Sequence, residues 1–154
     1  MLNRKIQEHD FEGIHKLVCQ VHELHVANRP DIYNDIDAFD REYFDFLRKD
    51  PNTISLVTEI EDKIVGFCIV TLRQPSKNPL LKARKVAYME DLCVDKRYRN
   101  LGIGRTLFNE VKLTAKEKGY DVMELMVWSF NDAAIKFYES MGMKPRSMFM
   151  EQKL

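Results

Sequence analysis

The sequence has only three cysteines and no long apolar run. Cys19, Cys68 and Cys93 lie far apart, form no C-x-x-C pair and are odd in number, which argues against a disulfide framework. No apolar stretch approaches the roughly 20 residues that a membrane helix needs. The opening MLNRKIQEHD is too polar for a signal peptide. We therefore expect a cytoplasmic protein with reduced thiols and no membrane contact.

The chain also lacks an excess of either charge. Its 24 Lys and Arg residues balance 24 Asp and Glu residues, so the formal net charge is zero. A general nucleic-acid binder needs a basic surplus to meet phosphates, so we expect no nucleic-acid partner. The length of 154 residues and the hydrophobic fraction of 45% are typical of one domain, which we place at residues 1–154.

Hydrophobic periodicity divides the chain into strands and helices in the order β-α-α-β-β-β-α-β-α-β. The predicted strands are 4–7, 53–60, 63–72, 85–94, 121–128 and 144–153. The predicted helices are Phe11–Val26, Ala38–Lys49, 105–119 and 131–143. In the second helix Phe39, Tyr43, Phe46 and Leu47 are predicted to face inward. A hairpin turn at 61–63 and later strand-helix-strand crossovers predict a mixed sheet with helices on both faces.

The turn Arg99–Gly104, RNLGIG, lies between a predicted strand and a predicted helix. A helix start offers unpaired N–H groups and a partial positive charge, and glycine lets a ligand approach the backbone, so this turn suits a phosphate or pyrophosphate. The alternative is that Gly102 and Gly104 only form a tight turn. A dinucleotide fingerprint fits poorly, since the large Leu107 stands where a small residue is needed, and no nucleoside-triphosphate P-loop sequence occurs.

Two motifs in this region resemble those of the GCN5-related N-acetyltransferase (GNAT) superfamily. RNLGIG fits the pattern [QR]-x-x-G-x-[GA], and NDAAIKFYESMGM is similar to the later segment N-x-x-A-x-x-F-Y-x-x-x-G. The strand MEDLCV is similar to that of polyamine N-acetyltransferases. The resemblance is specific over residues 86–143 and implies an α/β (α+β) fold. That fold has a mixed, mostly antiparallel central sheet of six to seven strands with about four helices on both faces.

The resemblance implies that acetyl-CoA is the co-substrate. Its pyrophosphate would bind the backbone N–H groups of the glycine turn, and its pantetheine arm would lie along the preceding strand like an added strand. The cofactor-binding residues implied are Leu92, Cys93, Val94, Arg99, Asn100, Leu101, Gly102, Ile103, Gly104, Arg105, Thr106 and Asn131.

The resemblance also implies a base and an acid. An attacking amine must lose a proton, and Glu90 matches the glutamate proposed as base in the polyamine enzymes. Strand alternation places Glu90 and Asp91 on opposite faces, and Asp91 is expected to cap or pair near the glycine turn. Tyr138 matches the tyrosine that protonates the departing thiolate. The alternatives are that Glu90 is a solvated or salt-bridged carboxylate and that Tyr138 is core packing.

The first helix and the loop after it are implied to form one wall of the acceptor site, which makes His22, His25 and Tyr33 candidate substrate contacts. Histidines and Cys19 recur on this helix at spacings of three and four residues, which is a pattern of metal ligands. No acidic or cysteine partner in the sequence completes the set, so we expect no metal.

The sequence thus predicts an acetyl-CoA-dependent N-acetyltransferase that moves an acetyl group directly to a primary amine. A small-molecule acceptor is favoured. The alternatives are a protein N-terminal or lysine acetyltransferase and a non-catalytic acyl-CoA-binding sensor with the same fold. The partners expected are a small-molecule or peptide amine, and a homodimer is left open.

Overall fold

Five strands and four α-helices make up the described part of the chain, residues 1–37 and 39–154 of a computed structural model. The strands are β1 (Leu2–Lys5), β2 (Thr53–Ile60), β3 (Lys63–Arg73), β4 (Val86–Val94) and β5 (Val122–Leu125). The helices are α1 (Phe11–Asn28), α2 (Arg41–Lys49), α3 (Ile103–Glu117) and α4 (Asp132–Ser140). Short 3-10 turns precede α1 and follow β4.

The strands form one sheet in the order β1-β2-β3-β4-β5. The first three pairings are antiparallel and the β4–β5 pairing is parallel, so the predicted mixed, mostly antiparallel sheet is confirmed. The predicted hairpin is also confirmed. Glu61 and Asp62 both have positive φ, at 50° and 58°, as the two central residues of a type I′ turn do.

The described sheet has five strands, so the expectation of six to seven was too high. The predicted last strand, 144–153, adopts no regular secondary structure. Pro145 has no N–H to donate to a strand ladder, and Phe149 is fully exposed instead of packing on a core. Ion pairs attach this tail instead: Arg146 Nη1 lies 2.7 Å from Glu124 Oε1, and Glu151 Oε1 lies 2.6 Å from Arg29 Nη2.

Helices cover both faces of the sheet, as predicted. One core lies between the sheet and α1 and α2, and the other lies between the sheet and α3, against which α4 residues pack. The largest fully buried residues of the first core are Phe44, Phe67, Ile14, Leu17, Ile69 and Val57. Those of the second core include Leu107, Ile103, Val111, Val65 and Val70. Each such side chain contributes about 1.5–3 kcal/mol of burial free energy.

The α2 helix turns a different face to the sheet from the one predicted. Phe44 and Leu47 are buried, whereas Tyr43 and Phe46 are about half exposed. The prediction was wrong for Tyr43 and Phe46 because aromatic residues occur around the whole helix, so that periodicity alone did not select the inner face.

The start of α2 is set by a cap. The Asp40 side chain accepts a hydrogen bond from the backbone N–H of Tyr43 at 2.8 Å, which satisfies an unpaired donor and begins the helix at Arg41. The predicted start at Ala38 lies outside the described residues.

The β4 strand parts from β5 halfway along its length. Parallel pairing begins at Val86 with Val122 and ends at Met89 with Leu125. The rest of β4 continues to Val94 and pairs only with β3 in the described part of the chain. The far half of β4 therefore presents an open edge, which can form hydrogen bonds to another extended group.

A β-bulge lies in β4 where this parting begins. Ile69 of β3 is paired with Asp91 and Val70 is paired with Met89, so that Glu90 has no residue opposite it. Such an extra residue breaks the alternation of side chains along the strand and bends it locally.

The bulge puts neighbouring acidic residues on one face. Met89 and Leu92 both pack on the α3 side of the sheet, although they are three residues apart, while Cys93 packs on the α1 side. Glu90 and Asp91 must therefore both point toward the α1 and α2 side. The expectation that they occupy opposite faces was wrong, because it assumed an unbroken period of two.

Close packing fixes α3 against β3 and so positions the glycine turn. A Cβ added to Gly66 would lie only 3.1 Å from Ile103 Cγ2 and 3.2 Å from Leu107 Cδ1. The absence of a side chain at Gly66 thus lets the first turn of α3 rest directly on the strand.

Candidate active site

The start of α3 has open backbone donors. Gly102 precedes the helix with φ of 82° and supplies no side-chain cap, and Asn100 is left-handed as well. In contrast, α2 is capped by Asp40 and α4 by Asn131. The first N–H groups of a helix have no carbonyl partner within it, and the helix dipole makes this end positive. These open donors favour an anion at RNLGIG, and anion binding there stays a prediction.

Basic side chains stand on both sides of this turn. Arg99 Nε donates to the Val94 carbonyl oxygen at 3.1 Å, and Arg105 Nη2 lies 3.4 Å from Ser140 Oγ. Thr106 Oγ donates to the Ile103 carbonyl oxygen at 2.9 Å, so its hydroxyl already serves the first turn. These contacts hold positive charge beside the open amides.

Asp95, and not Asp91, stabilises the turn before the glycines. Its Oδ1 accepts a hydrogen bond from the Arg97 backbone N–H at 2.9 Å, and its Oδ2 lies 2.7 Å from Arg97 Nη2. The hydrogen bond from Arg97 lowers the pKa of Asp95 to about 2, against the opposing effect of burial. The role expected for Asp91 near the phosphate turn was thus assigned to the wrong aspartate.

The predicted cofactor strand Leu92–Val94 lies on the open edge of β4. Its side chains pack inward, and the Cys93 thiol donates to the Leu17 carbonyl oxygen at 3.6 Å. Burial raises the pKa of Cys93 to about 12, so this thiol stays protonated and does not act as a nucleophile. Only the backbone of this segment is open to a ligand.

The two bulge carboxylates have different surroundings. Glu90 is exposed, and its Oε1 accepts a hydrogen bond from Arg73 Nη2 at 3.1 Å. Asp91 is half-buried, and burial, with a smaller contribution from the charge of Glu90, raises the pKa of Asp91 from 3.8 to about 6. A carboxylate with this pKa is ionised at neutral pH and accepts a proton far more readily than an ordinary aspartate.

Tyr138 lies on α4 and packs against the core on the α3 side of the sheet. Its ring packs against Phe108 and Phe137 at centroid distances of 6.4 and 5.3 Å. Burial raises the pKa of Tyr138 well above its usual range, and the negative charge of Asp91 raises it further. Its hydroxyl therefore remains protonated and lies within electrostatic reach of Asp91. The structure shows the core packing that was the alternative interpretation of this tyrosine, and its role as a proton donor stays a prediction.

The predicted substrate contacts come together at the end of α1. The His25 and Tyr33 rings stack at 4.9 Å, and His22 meets Tyr33 edge-on at 6.1 Å. The Tyr33 hydroxyl accepts a hydrogen bond from Trp128 Nε1 at 2.9 Å. Trp128 follows β5 and stacks on Phe130 at 5.9 Å. The Trp128–Tyr33 hydrogen bond joins the loop after α1 to the loop after β5.

A small cavity lies between α1 and the loop that leads to α2. Its volume is about 200 Å³, and its lining residues are Val18, Cys19, His22, Ile36, Asp37, Phe39 and Tyr43. Burial raises the pKa of Tyr43, and the charges of Asp91 and Glu90 raise it further. The bulge carboxylates therefore lie close enough to the cavity wall for their charges to act on Tyr43.

Asp91, Tyr43 and Trp128 lie near the predicted site residues, and sequence reasoning did not place them there. The position of Trp128, directly after a predicted strand, was a usable signal, because functional side chains often follow strand ends. Asp91 carried no such signal, since its position depends on a bulge that the apolar pattern does not reveal.

Residues 18–143 match the profile of the Acetyltransferase (GNAT) family. The chain belongs to this family. The match includes the glycine turn, the bulge carboxylates and Tyr138, so the GNAT fold and an acetyl-CoA donor are what the family implies for this site.

Curated relatives agree with the GNAT assignment. An uncharacterized N-acetyltransferase of Methanocaldococcus jannaschii is 32% identical over 108 residues, 70% of this chain and 46% of that protein. An L-ornithine N5-acetyltransferase of Arabidopsis thaliana is 33% identical over 88 residues, 56% of this chain and 37% of that protein. The chain spans less than half the length of the curated relatives it matches. The matches identify the GNAT family, and the polyamine-specific resemblance stays a prediction.

Solved structures share the GNAT fold over the whole chain. A mutant of the BH1408 protein from Bacillus halodurans is 35% identical, has a TM-score of 0.96 and covers 100% of this chain and 99% of its own. Glucosamine-6-phosphate N-acetyltransferase from Arabidopsis thaliana has a TM-score of 0.74 at 21% identity, covering 99% of this chain and 97% of its own. In the described residues, no helix has the length and apolar character needed to span a bilayer.

Replacing Asp91 with Asn should stabilise the GNAT domain at neutral pH. The folded pKa of about 6 lies above the usual 3.8, so ionising Asp91 favours the unfolded chain. The gain from Asp91→Asn should grow as pH rises from about 4 to 6 and then stay constant. Urea denaturation across this range measures it. A variant less stable than the wild type at pH 7.5 would show that Asp91 is held by a stabilising partner instead.

Proposed function

We propose that this protein transfers an acetyl group from acetyl-CoA directly to a primary amine of a small molecule. The observation that carries the proposal is the gap between β4 and β5, where three features meet. These are an open strand edge, the uncapped start of α3, and a carboxylate and a phenol with raised pKa values.

The proposed cofactor site follows the backbone. The amides from Asn100 to Arg105 would bind the pyrophosphate, with the Arg99 and Arg105 side chains beside them, and Leu92–Val94 would pair with the pantetheine arm. The Thr106 N–H, which the sequence prediction included, already donates to the Gly102 carbonyl oxygen at 3.0 Å. The carbonyl oxygen of the Asn131 side chain caps α4 at 3.2 Å from the Ala134 N–H, so its NH₂ is the group left to contact the cofactor. Acetyl-CoA bound in this way supplies an activated thioester at the centre of the sheet.

We assign proton acceptance to Asp91. As the amine nitrogen bonds to the acetyl carbonyl carbon, its proton passes to the Asp91 carboxylate, directly or through one water. Glu90, predicted as the base, is the second carboxylate. Its exposure favours a role in drawing the cationic acceptor toward the gap, although its ion pair with Arg73 offsets part of its charge. As the carbon–sulfur bond breaks, the Tyr138 hydroxyl donates its proton to the departing thiolate.

A small acceptor is favoured by the cavity. Its volume of about 200 Å³ suits a short aliphatic amine, and the charges of the bulge carboxylates, which act on Tyr43 in its wall, complement a cation. The Arabidopsis relative described as an L-ornithine N5-acetyltransferase acts on such a compound. A protein N-terminus or lysine is the alternative acceptor, and an acyl-CoA sensor without turnover is the alternative class.

Thiol release from acetyl-CoA tests the proposal directly. The assay pairs a panel of diamines, amino acids and amino sugars with a panel of peptides bearing free lysine or a free N-terminus. We expect stimulation by a small amine, with the acetylated product identified by mass. Stimulation by peptides alone would move the acceptor class to proteins, and binding of acetyl-CoA without any amine-dependent thiol release would favour the sensor.

Gly102→Glu should abolish cofactor binding. The new carboxylate would stand beside the proposed pyrophosphate, and like charges in contact cost several kcal/mol, so CoA affinity should fall about 100-fold or more. Gly119→Glu is a matched control, because Gly119 also has positive φ and open space around it, at the other end of α3. Calorimetry should show similar destabilisation in both variants and normal CoA affinity only in Gly119→Glu. Normal affinity in Gly102→Glu would remove the pyrophosphate from this turn.

Asp91→Asn should lower kcat by about 100-fold or more, because general-base catalysis contributes that much. In the wild type, kcat/KM should fall below about pH 6 as Asp91 becomes protonated, and this acidic limb should vanish in the variant. Glu90→Gln, the matched control, should raise KM for the amine and keep the limb. If the limb instead persists in Asp91→Asn and vanishes in Glu90→Gln, Glu90 is the base, as the sequence predicted.

A further inference from the structure

Three potential metal ligands converge at the outer end of the cavity beside α1. The Nε2 of His15, the Sγ of Cys19 and a carboxylate oxygen of Asp37 all lie within 4.8 Å of one another. Among the residues that the structure describes, these three form a group whose ligand atoms are close enough together to share one metal ion. Asp37 is the acidic ligand that the sequence pattern lacked, and the loop after α1 brings it to the helix.

The distances in this cluster are close to those of a tetrahedral zinc site. His15 Nε2–H donates to Asp37 Oδ2 at 2.7 Å, and Cys19 Sγ lies 3.8 Å from the same nitrogen. Ligand atoms bound to zinc at about 2.0–2.3 Å are separated by about 3.3–3.6 Å. Shifts of about 1.5 Å or less along each contact would place an ion between them.

The surrounding packing holds the His15 ring in place. It stacks on Phe11 at 5.7 Å and on Phe39 at 6.3 Å, and Cys19 lies one helical turn further along the same face of α1. His22, a further turn along, lies outside the set because its Nε2–H donates to the Asn34 carbonyl oxygen at 2.8 Å. The ligands therefore come from a rigid helix face and one loop residue.

We propose that His15, Cys19 and Asp37 bind a zinc ion. Imidazole, thiolate and carboxylate are the three ligand types that zinc accepts, and three protein ligands leave its fourth position open for water. Asp37 is 59% exposed, so the ion can enter from solvent. Cys19 and Asp37 also line the cavity, so the bound ion would stand at its wall.

Binding requires one change of protonation. Burial raises the pKa of the Cys19 thiol, with smaller contributions from Asp37 and Glu23, so the free protein holds it as a thiol. The sulfur–zinc bond forms as this proton passes to the buffer, and the His15–Asp37 hydrogen bond is replaced by bonds to the ion. The competing interpretation is a plain His15–Asp37 pair with Cys19 as a neighbour.

Cobalt(II) titration of the chelator-treated full chain separates the two interpretations. We expect one Co²⁺ per chain, visible absorption of tetrahedral cobalt and a thiolate-to-cobalt charge-transfer band, all removed by added Zn²⁺. Cys19→Ser should abolish the charge-transfer band and weaken Zn²⁺ binding at least about tenfold. His9→Gln removes an exposed histidine outside the cluster and should change neither.

Circular dichroism of the metal-free variants checks their folding. Should Cys19→Ser fail to fold, Asp37→Asn, a change at an exposed loop residue, should still weaken Zn²⁺ binding at least about tenfold. The proposal is overturned if the wild type shows no charge-transfer band. It is equally overturned if folded Cys19→Ser keeps that band, or if Asp37→Asn binds Zn²⁺ as tightly as His9→Gln does.

Discussion

The parting of β4 from β5 after Met89 is the constraint on which the rest of the site depends. While two strands stay paired, their amides and carbonyls satisfy each other and no ligand can enter between them. Once they part, the far half of β4 keeps its β3 partner and gains an open edge. Beyond the end of β5, Trp128 donates a hydrogen bond to the Tyr33 hydroxyl instead of continuing the strand. The gap is therefore formed by the backbone geometry of β4 and β5.

The bulge at Glu90 gives this gap its chemistry. One extra residue turns both bulge carboxylates toward α1 and α2, and burial then separates their behaviour. Glu90 is exposed to solvent and accepts a hydrogen bond from Arg73, whereas burial raises the pKa of Asp91 to about 6. Burial also raises the pKa of Tyr138, which lies on α4. Partial burial thus perturbs the pKa values of both the proposed proton acceptor and the proposed proton donor, at the expense of some stability.

Local signals in the sequence were sufficient for most of the fold. Caps, turns and hydrophobic periods located the helices and the hairpin, and two spaced motifs located the uncapped start of α3 and Tyr138. Three of the failures share one cause, which is that they depend on contacts distant in sequence. The bulge follows from the register of β4 against β3, the inner face of α2 follows from packing on the sheet, and Asp37 meets His15 only after the loop folds back. The tail pattern suggested a strand, but Pro145 and the lack of a covering face left it unpaired.

Amide hydrogen exchange with and without CoA tests the central claim most directly, because it reads the backbone groups that form the gap. The account predicts that CoA slows exchange in two segments, Leu92–Val94 on the open edge of β4 and Ile103–Arg105 at the start of α3, while β1 and the hairpin turn at Glu61 and Asp62 are unchanged. Protection confined to other segments, with these two unaffected at saturating CoA, would contradict it.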